Sequence, residues 1–249
     1  MSQHSLDTPQ FYLTNENNCP YIEGKQERKV FTYLVGEHAQ SLNDNLTQGG
    51  FRRSQNIAYR PACVNCKACV SIRILVNDFN PSSSMRRVTK RNQNLYTRSV
   101  TSGLTDEHYK LFRHYIDHRH YDGGMADMND SDFEAMVNGT YVNSKFIEYR
   151  LREGDLENRN SEGELIASAL IDEVSNGLSM VYSYFNPEYE KQSIGTYMIL
   201  DHIRQSRARG LPYLYLGYWI EQSPKMAYKR RFQPQEHLSS KGWIRDGIN

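Results

Sequence analysis

The side chains best suited to chemistry fall in a few short stretches of the chain. Cys63-Val-Asn-Cys66-Lys-Ala-Cys69 sets thiols at i, i+3 and i+6, and Cys19, followed by Pro20, offers a further donor from the N-terminal segment. A tight turn through that array would bring the sulfurs to one side. Converging thiolates suit structural zinc or an iron–sulfur cluster, and small buried thiols give the same pattern without any metal. Arg86, Arg87, Lys90 and Arg91 follow one another with no acid between them. Such a face neutralises phosphates, which supply most nucleic-acid affinity. Flanking Arg52, Arg53 and Arg98 favour RNA or another polyanion over a merely solvated face.

Further along, Tyr213-Leu-Tyr-Leu-Gly-Tyr-Trp219 carries a glycine, Gly217, where a ligand can approach the backbone. Tyr218 and Trp219 beyond it are flat surfaces for a base, with Lys225 and Lys229 placed for phosphate, while Tyr213, Leu214 and Leu216 read as core. The turn Gln192-Ser-Ile-Gly195 opens a helix and can cradle an anion, but its single glycine argues for an acyl donor other than coenzyme A. His118-Arg119-His120 suits acid–base work or carboxylate binding, and equally a helix C-terminal cap.

These residues need elements to hold them. Cys69 to Val76 has strand composition, and Met85 to Tyr96 is expected as a helix with Arg87, Lys90, Arg91 and Asn94 on one face. Glu107 to His118 spaces Leu111, Phe112, Tyr115 and Ile116 for a core-packed helix, ahead of a turn at Asp122-Gly123-Gly124. Asp130 to Val137 is a second short helix. From there the pattern turns β-rich: Phe146 to Leu151, Leu165 to Val174 and Leu178 to Phe185, the last two joined by a Ser175-Asn176-Gly177 hairpin. A helix from Ile194 to Arg209 stops at Gly210 and Pro212. Tyr213 to Trp219 is a buried strand, and Lys225 to Phe232 a short helix. The order hairpin, helix, strand, short helix predicts a mixed α/β (α+β) fold of the GNAT acyltransferase type, in which a central strand splays from its neighbour and opens a cleft.

Bulk properties set the limits. At 249 residues, 38% hydrophobic and 24% charged, the composition is that of a globular chain with enough length for a core. The N-terminus lacks the basic and apolar regions of a signal peptide, and the apolar run Leu211 to Ile220 is too short to span a bilayer, so no membrane partner and a cytoplasmic location are expected. In that reducing compartment four cysteines read as thiols or ligands rather than disulfides. The net charge of +1 hides an asymmetry: ten Lys or Arg against the single acid Asp78 between Gly49 and Ser99, with acids plentiful from Asp106 onward.

Several long motifs then carry a family resemblance: CPYIEGKQER from Cys19, GFRRSQNIAYRPACVNCKACVSIRI from Gly50, SSSMRRVTKRN, RHYDGGM, YSYFNPEYEKQSIGTYMILDHI and YLYLGYWIEQSPKMAYKRRFQP. In this order they resemble the protein arginyltransferase family, and within it the bacterial aspartate/glutamate leucyltransferase branch. The resemblance implies an N-terminal Cys-containing basic region over residues 1–100 and a GNAT-like aminoacyl-transfer domain over 101–249. It implies an enzyme that moves leucine from leucyl-tRNA to proteins beginning with Asp or Glu, making them substrates of N-end rule degradation. Arginyl transfer to the same acceptors, a coenzyme-A acetyltransferase and a metal-stabilised RNA-binding module are the alternatives. Eukaryotic members pair an early CxxC with a later vicinal Cys pair, associated with zinc or iron–sulfur binding. Here Ile22 stands where the second early Cys would lie and CxxCxxC replaces the pair, while no cofactor is required by the chemistry itself. Within that reading Arg73, Arg119 and His120 are expected to bind the acidic N-terminus, and Tyr184 and Tyr218 to line the reaction cleft as catalytic residues. Arg86, Arg87, Lys90, Arg91, Trp219, Lys225 and Lys229 are expected to hold the tRNA, and Cys19, Cys63, Cys66 and Cys69 any metal.

Overall fold

Residues 8–100, 103–121, 123–152 and 163–246 are described by the computed structural model. Asp122 of the expected turn lies outside them. The N-terminal part supplies β1 (Tyr12–Leu13), a small hairpin of β2 (Asn17–Asn18) and β3 (Gln26–Glu27), then β4 (Lys29–Tyr33), α1 (Ala39–Gln48), β5 (Arg52–Ser54) and β6 (Ile57–Pro61). Strands β1, β4, β6 and β5 form an antiparallel sheet in that order. The chain continues through β7 (Val70–Leu75), α2 (Ser83–Arg91), β8 (Leu95–Ser99), α3 (Asp106–Arg119), α4 (Asp130–Asn138), β9 (Ser144–Leu151), β10 (Leu165–Val174) and β11 (Gly177–Phe185). It ends with α5 (Ile194–Ala208), β12 (Tyr213–Trp219), β13 (Gln235–Ser239) and β14 (Gly242–Arg245).

The larger sheet has eight strands in the order β14-β13-β7-β12-β11-β10-β9-β8. Strand β10 reads LIASALIDEV and is buried at nearly every position, because helices cover both faces of the sheet. On one face α5 packs Ile194, Met198, Ile199 and Ile203 against Ile72, Ile74, Leu178, Leu214 and Leu216. On the other, α3 and α4 bring Leu111, Phe112, Ile116, Phe133 and Val137 to Phe146, Leu170 and Tyr184. The hairpin between β10 and β11 is the one expected from the sequence, and β12 returns parallel beside β11.

Three expectations are corrected. The basic helix stops at Arg91 rather than Tyr96: the Asn92 side chain donates to the carbonyls of Val88 and Gln192, ending the helix, and Leu95 begins a strand, so Asn94 shares no helical face with Arg87. The last helix is a short 3₁₀ turn, Ala227–Arg231. The sheet also runs across the division expected at residue 100, since β7 pairs with β12 and β13 while β8 pairs with β9. A buried ion pair joins the two sheets: Arg53 of β5 donates from Nε and Nη2 to Asp172 of β10 at 2.7 Å each, and again to Ser144 Oγ at 2.9 Å. Both side chains are 1% exposed.

Candidate active site

Strands β11 and β12 run parallel only from Gly177 to Ser179 against Tyr213 to Tyr215. Beyond that the ladder between them ends, leaving backbone groups on the facing edges without a strand partner. A side chain from the smaller sheet enters this gap. Arg52 of β5 donates from Nη1 to the Leu216 carbonyl at 3.1 Å, and from Nη2 to the carbonyls of Met180 at 3.2 Å and Val181 at 2.7 Å. Its guanidinium therefore bridges the two strands where they separate. Gly217 makes the approach possible: it has φ +71°, and a Cβ there would fall 1.5 Å from Arg52 Nη1. From the side of the 3₁₀ turn, Lys229 reaches the same strand, its Nζ donating to the carbonyls of Leu216 at 2.9 Å and Tyr218 at 2.7 Å. Burial pushes the Lys229 ammonium well below its usual pKa, and the Arg52 charge adds to the effect.

Tyrosines surround this pair. Tyr21, Tyr218 and Tyr228 all feel the Arg52 charge, and Tyr228 also faces Tyr115 of α3. Tyr21 and Tyr228 are exposed. At the far end of β11, Tyr115 and the Arg119 guanidinium lie over Phe185, with centroid distances of 5.3 Å for both. The helix α5 begins close by, where a Cβ at Gly195 would lie 3.7 Å from the Phe185 ring, after Ser193 turns the chain at φ 58°. The basic helix α2 is anchored to the segment leading into α5: Arg91 donates to the Lys191 carbonyl at 2.6 Å and Asn92 to that of Gln192 at 2.9 Å. The exposed residues of α2 and the start of α5 thus adjoin one another.

Comparison with known proteins follows this geometry. The arginine-tRNA-protein transferase family matches twice, by its N terminus over residues 17–87 and by its C terminus over residues 107–239. The aspartate/glutamate leucyltransferase of Sinorhizobium medicae (strain WSM419) is 56% identical over 250 residues, covering 100% of this chain and 96% of that one. The chain belongs to the arginine-tRNA-protein transferase family. The aspartate/glutamate leucyltransferase of Afipia carboxidovorans is likewise 56% identical, over 98% of this chain and 96% of that protein. Among solved structures, FemX superposes with a TM-score of 0.48 at 11% identity, over 77% of this chain and 64% of that one.

Within this family member the expected residues separate into those at the cleft and those tied up elsewhere. Tyr184 is 1% exposed, its hydroxyl donates to the His108 carbonyl at 3.3 Å, and burial raises its pKa far above the usual range; it is a core residue on the α3 side. Tyr218 lies beside Arg52, but its hydroxyl is shared between the carbonyls of Gly50 and Tyr59 at 3.1 Å each. Arg73 is not free for an acidic ligand. It pairs with Glu236 at 2.7 Å, donates to Tyr215 Oη at 3.1 Å, and stacks 3.6 Å from the Tyr213 ring and 4.3 Å from that of Trp243. Arg119 is paired with Glu190, and His120 packs 5.5 Å from Tyr115. Lys229 is buried against carbonyls rather than presented to phosphate, and Trp219 lies 5.0 Å under the Arg230 guanidinium, while Lys225 is exposed.

On α2 the side chains are unequally available. Arg86 folds back on Pro81 O and Ser83 Oγ, and Arg91 holds Lys191, whereas Arg87 and Lys90 are exposed with no partner among the described residues. The cysteines are half-buried free thiols. Cys69 is pushed up to about 12, chiefly by burial and further by Cys19, Cys63 and Cys66. Yet no three His, Cys, Asp or Glu side chains are set to hold a metal ion among the described residues. The expected zinc or iron–sulfur site does not fit this arrangement. Arg52, the residue at the centre of the gap, was legible only as one of a basic pair; alternation along a strand sends Arg53 inward and Arg52 to the cleft.

Proposed function

We propose that the protein transfers leucine from leucyl-tRNA to the amino-terminal Asp or Glu of acceptor proteins, giving them an N-terminus read by the N-end rule. The observation that carries this reading is 56% identity over the full chain to relatives bearing the name aspartate/glutamate leucyltransferase. The splayed strands supply a cleft consistent with it. No helix among the described residues is long and apolar enough to cross a membrane. A cytoplasmic location, where charged tRNA is found, agrees with the reading.

The chemistry is an acyl transfer whose balance closes without a further reactant. The acceptor's neutral α-amine, of pKa about 8, attacks the ester carbonyl of the aminoacyl end. A C–N bond forms, the C–O bond to the terminal ribose breaks, and the amine proton goes to the departing ribose oxygen. The ester is already activated, so positioning supplies most of the acceleration. A developing oxyanion needs N–H donors, and backbone amides beyond the paired stretch of β11 and β12 are the candidates. The exposed cations Arg87 and Lys90, beside the start of α5, support an RNA interface leading to the cleft.

The test is to incubate the protein with leucyl-tRNA or arginyl-tRNA and with peptides headed by Asp, Glu, Arg or Ala, then weigh the products. Addition of one leucine to the Asp- and Glu-headed peptides alone is expected. No added residue with either charged tRNA would overturn the reading. Arginine in place of leucine would favour the second one, arginyl transfer, which the family's own description supports.

A further inference from the structure

The cations of the two sheets and their neighbouring helices differ in what balances their charge. Arg73 is neutralised by Glu236, Arg119 by Glu190 and Lys29 by Glu27. Arg230 is held by Asp246. Arg52 and Lys229 meet no carboxylate among the described residues: every hydrogen bond given for them ends on a backbone carbonyl. Carbonyl dipoles orient a cation without cancelling its charge. Arg52, permanently charged, therefore sits beside the buried Lys229 with no counter-ion among the described residues and with part of its hydration lost, which costs free energy. That cost is repaid when an anion arrives. Lys229 is buried, so an incoming group meets Arg52, which is half-exposed.

Resting on the leucyl-transfer reading, we propose that Arg52 is the specificity-determining residue that receives the carboxylate of the acceptor's first side chain. The guanidinium has N–H donors beyond those given to Leu216, Met180 and Val181, and a charge-assisted bond to a carboxylate is about twice as strong as a neutral one. Tyr21 and Tyr228, partly exposed tyrosines whose phenols feel the same charge, carry hydroxyl donors for the second carboxylate oxygen. An Asp or Glu side chain held there leaves its own α-amine at the gap between β11 and β12. Gly217 is part of the device, because any side chain at that position would displace the guanidinium. A neutral first residue such as Asn does not gain the charge pairing with Arg52.

The experiment compares the wild-type chain with Arg52→Met and Arg52→Lys, using leucyl-tRNA and two peptides that differ only in beginning with Asp or Asn. Wild type is expected to prefer the Asp peptide. Arg52→Met should lower kcat/KM for the Asp peptide by about 10- to 100-fold, collapse the Asp-over-Asn ratio toward one, and leave KM for leucyl-tRNA within about 3-fold. Arg52→Lys, keeping the charge, should retain part of the ratio. An unchanged ratio in Arg52→Met, or an equal loss with both peptides, overturns the assignment. Should Arg52→Met fail to fold, a crystal structure of the wild-type chain with the Asp-headed peptide decides the matter. A side-chain carboxylate within hydrogen-bond distance of Arg52 upholds the proposal, and one bound elsewhere, or no bound peptide, overturns it. Absence of any transfer by wild type would fall on the leucyl-transfer reading instead, and calorimetric binding of the two peptides would still test Arg52 by the same ratio.

Discussion

Replacing Arg53 with methionine removes one half of the ion pair that fastens the smaller sheet to β10. Both partners are 1% exposed, so Asp172 would keep only the Ser144 hydroxyl, at 2.6 Å, to replace two charge-assisted bonds at 2.7 Å. Removing one partner of a buried pair costs about 3–5 kcal/mol, most of it the penalty of leaving the other charge unpaired. For a chain of this length that corresponds to a fall in Tm of roughly 10 °C. The assay is urea unfolding of wild type, Arg53→Met, Asp172→Leu and the double variant at pH 7, read by circular dichroism. Each single change should cost about 3 kcal/mol or more, whereas the double variant, which buries no lone charge, should recover at least about 2 kcal/mol of the summed loss. Strict additivity of the two single effects would refute the reasoning, because it would mean that the charges do not depend on each other in the folded state.

Three further outcomes are expected. Alanine at Arg87 and Lys90 should raise KM for charged tRNA and lower the slope of its salt dependence by about 2, with the Asp-over-Asn preference intact; an unchanged salt slope would remove α2 from the RNA interface. His202 is fully buried, and burial lowers its pKa from 6.5 to about 4 in the folded chain. The unfolded chain therefore takes up the proton first: stability is complete above pH 6.5 and falls as pH drops toward 4, by up to about 3 kcal/mol. Urea unfolding at pH 7, 5 and 4 should show this loss in wild type and less of it in His202→Gln; equal losses would assign the acid sensitivity elsewhere. Cys69, raised to about 12, should react with iodoacetamide at pH 8.5 much more slowly than a free cysteine, as followed by peptide mass spectrometry, and a free-cysteine rate would contradict its burial among the other thiols.

Much of the C-terminal half was determined by local sequence. The β-rich composition of Leu165–Val174 and Gly177–Phe185, the Ser175-Asn176-Gly177 turn, the apolar residues of α5 and its stop at Gly210 act within a few residues, and they produced the strands, hairpin and helix seen in the structure. Composition likewise announced a basic segment, and the motif order carried the family. Tertiary structure alone decided which charges are free. Arg73 is captured by Glu236 and stacked on Trp243, Arg119 by Glu190, and Arg53 by Asp172, partners 163, 71 and 119 residues away in the chain. Strand alternation separates Arg52 from Arg53, but only the divergence of β11 from β12 gives Arg52 a cleft to enter. A charge is a property of the residue, whereas its availability depends on the nearest opposite charge and the solvent left around it. Both are set by contacts between distant segments that no local pattern encodes.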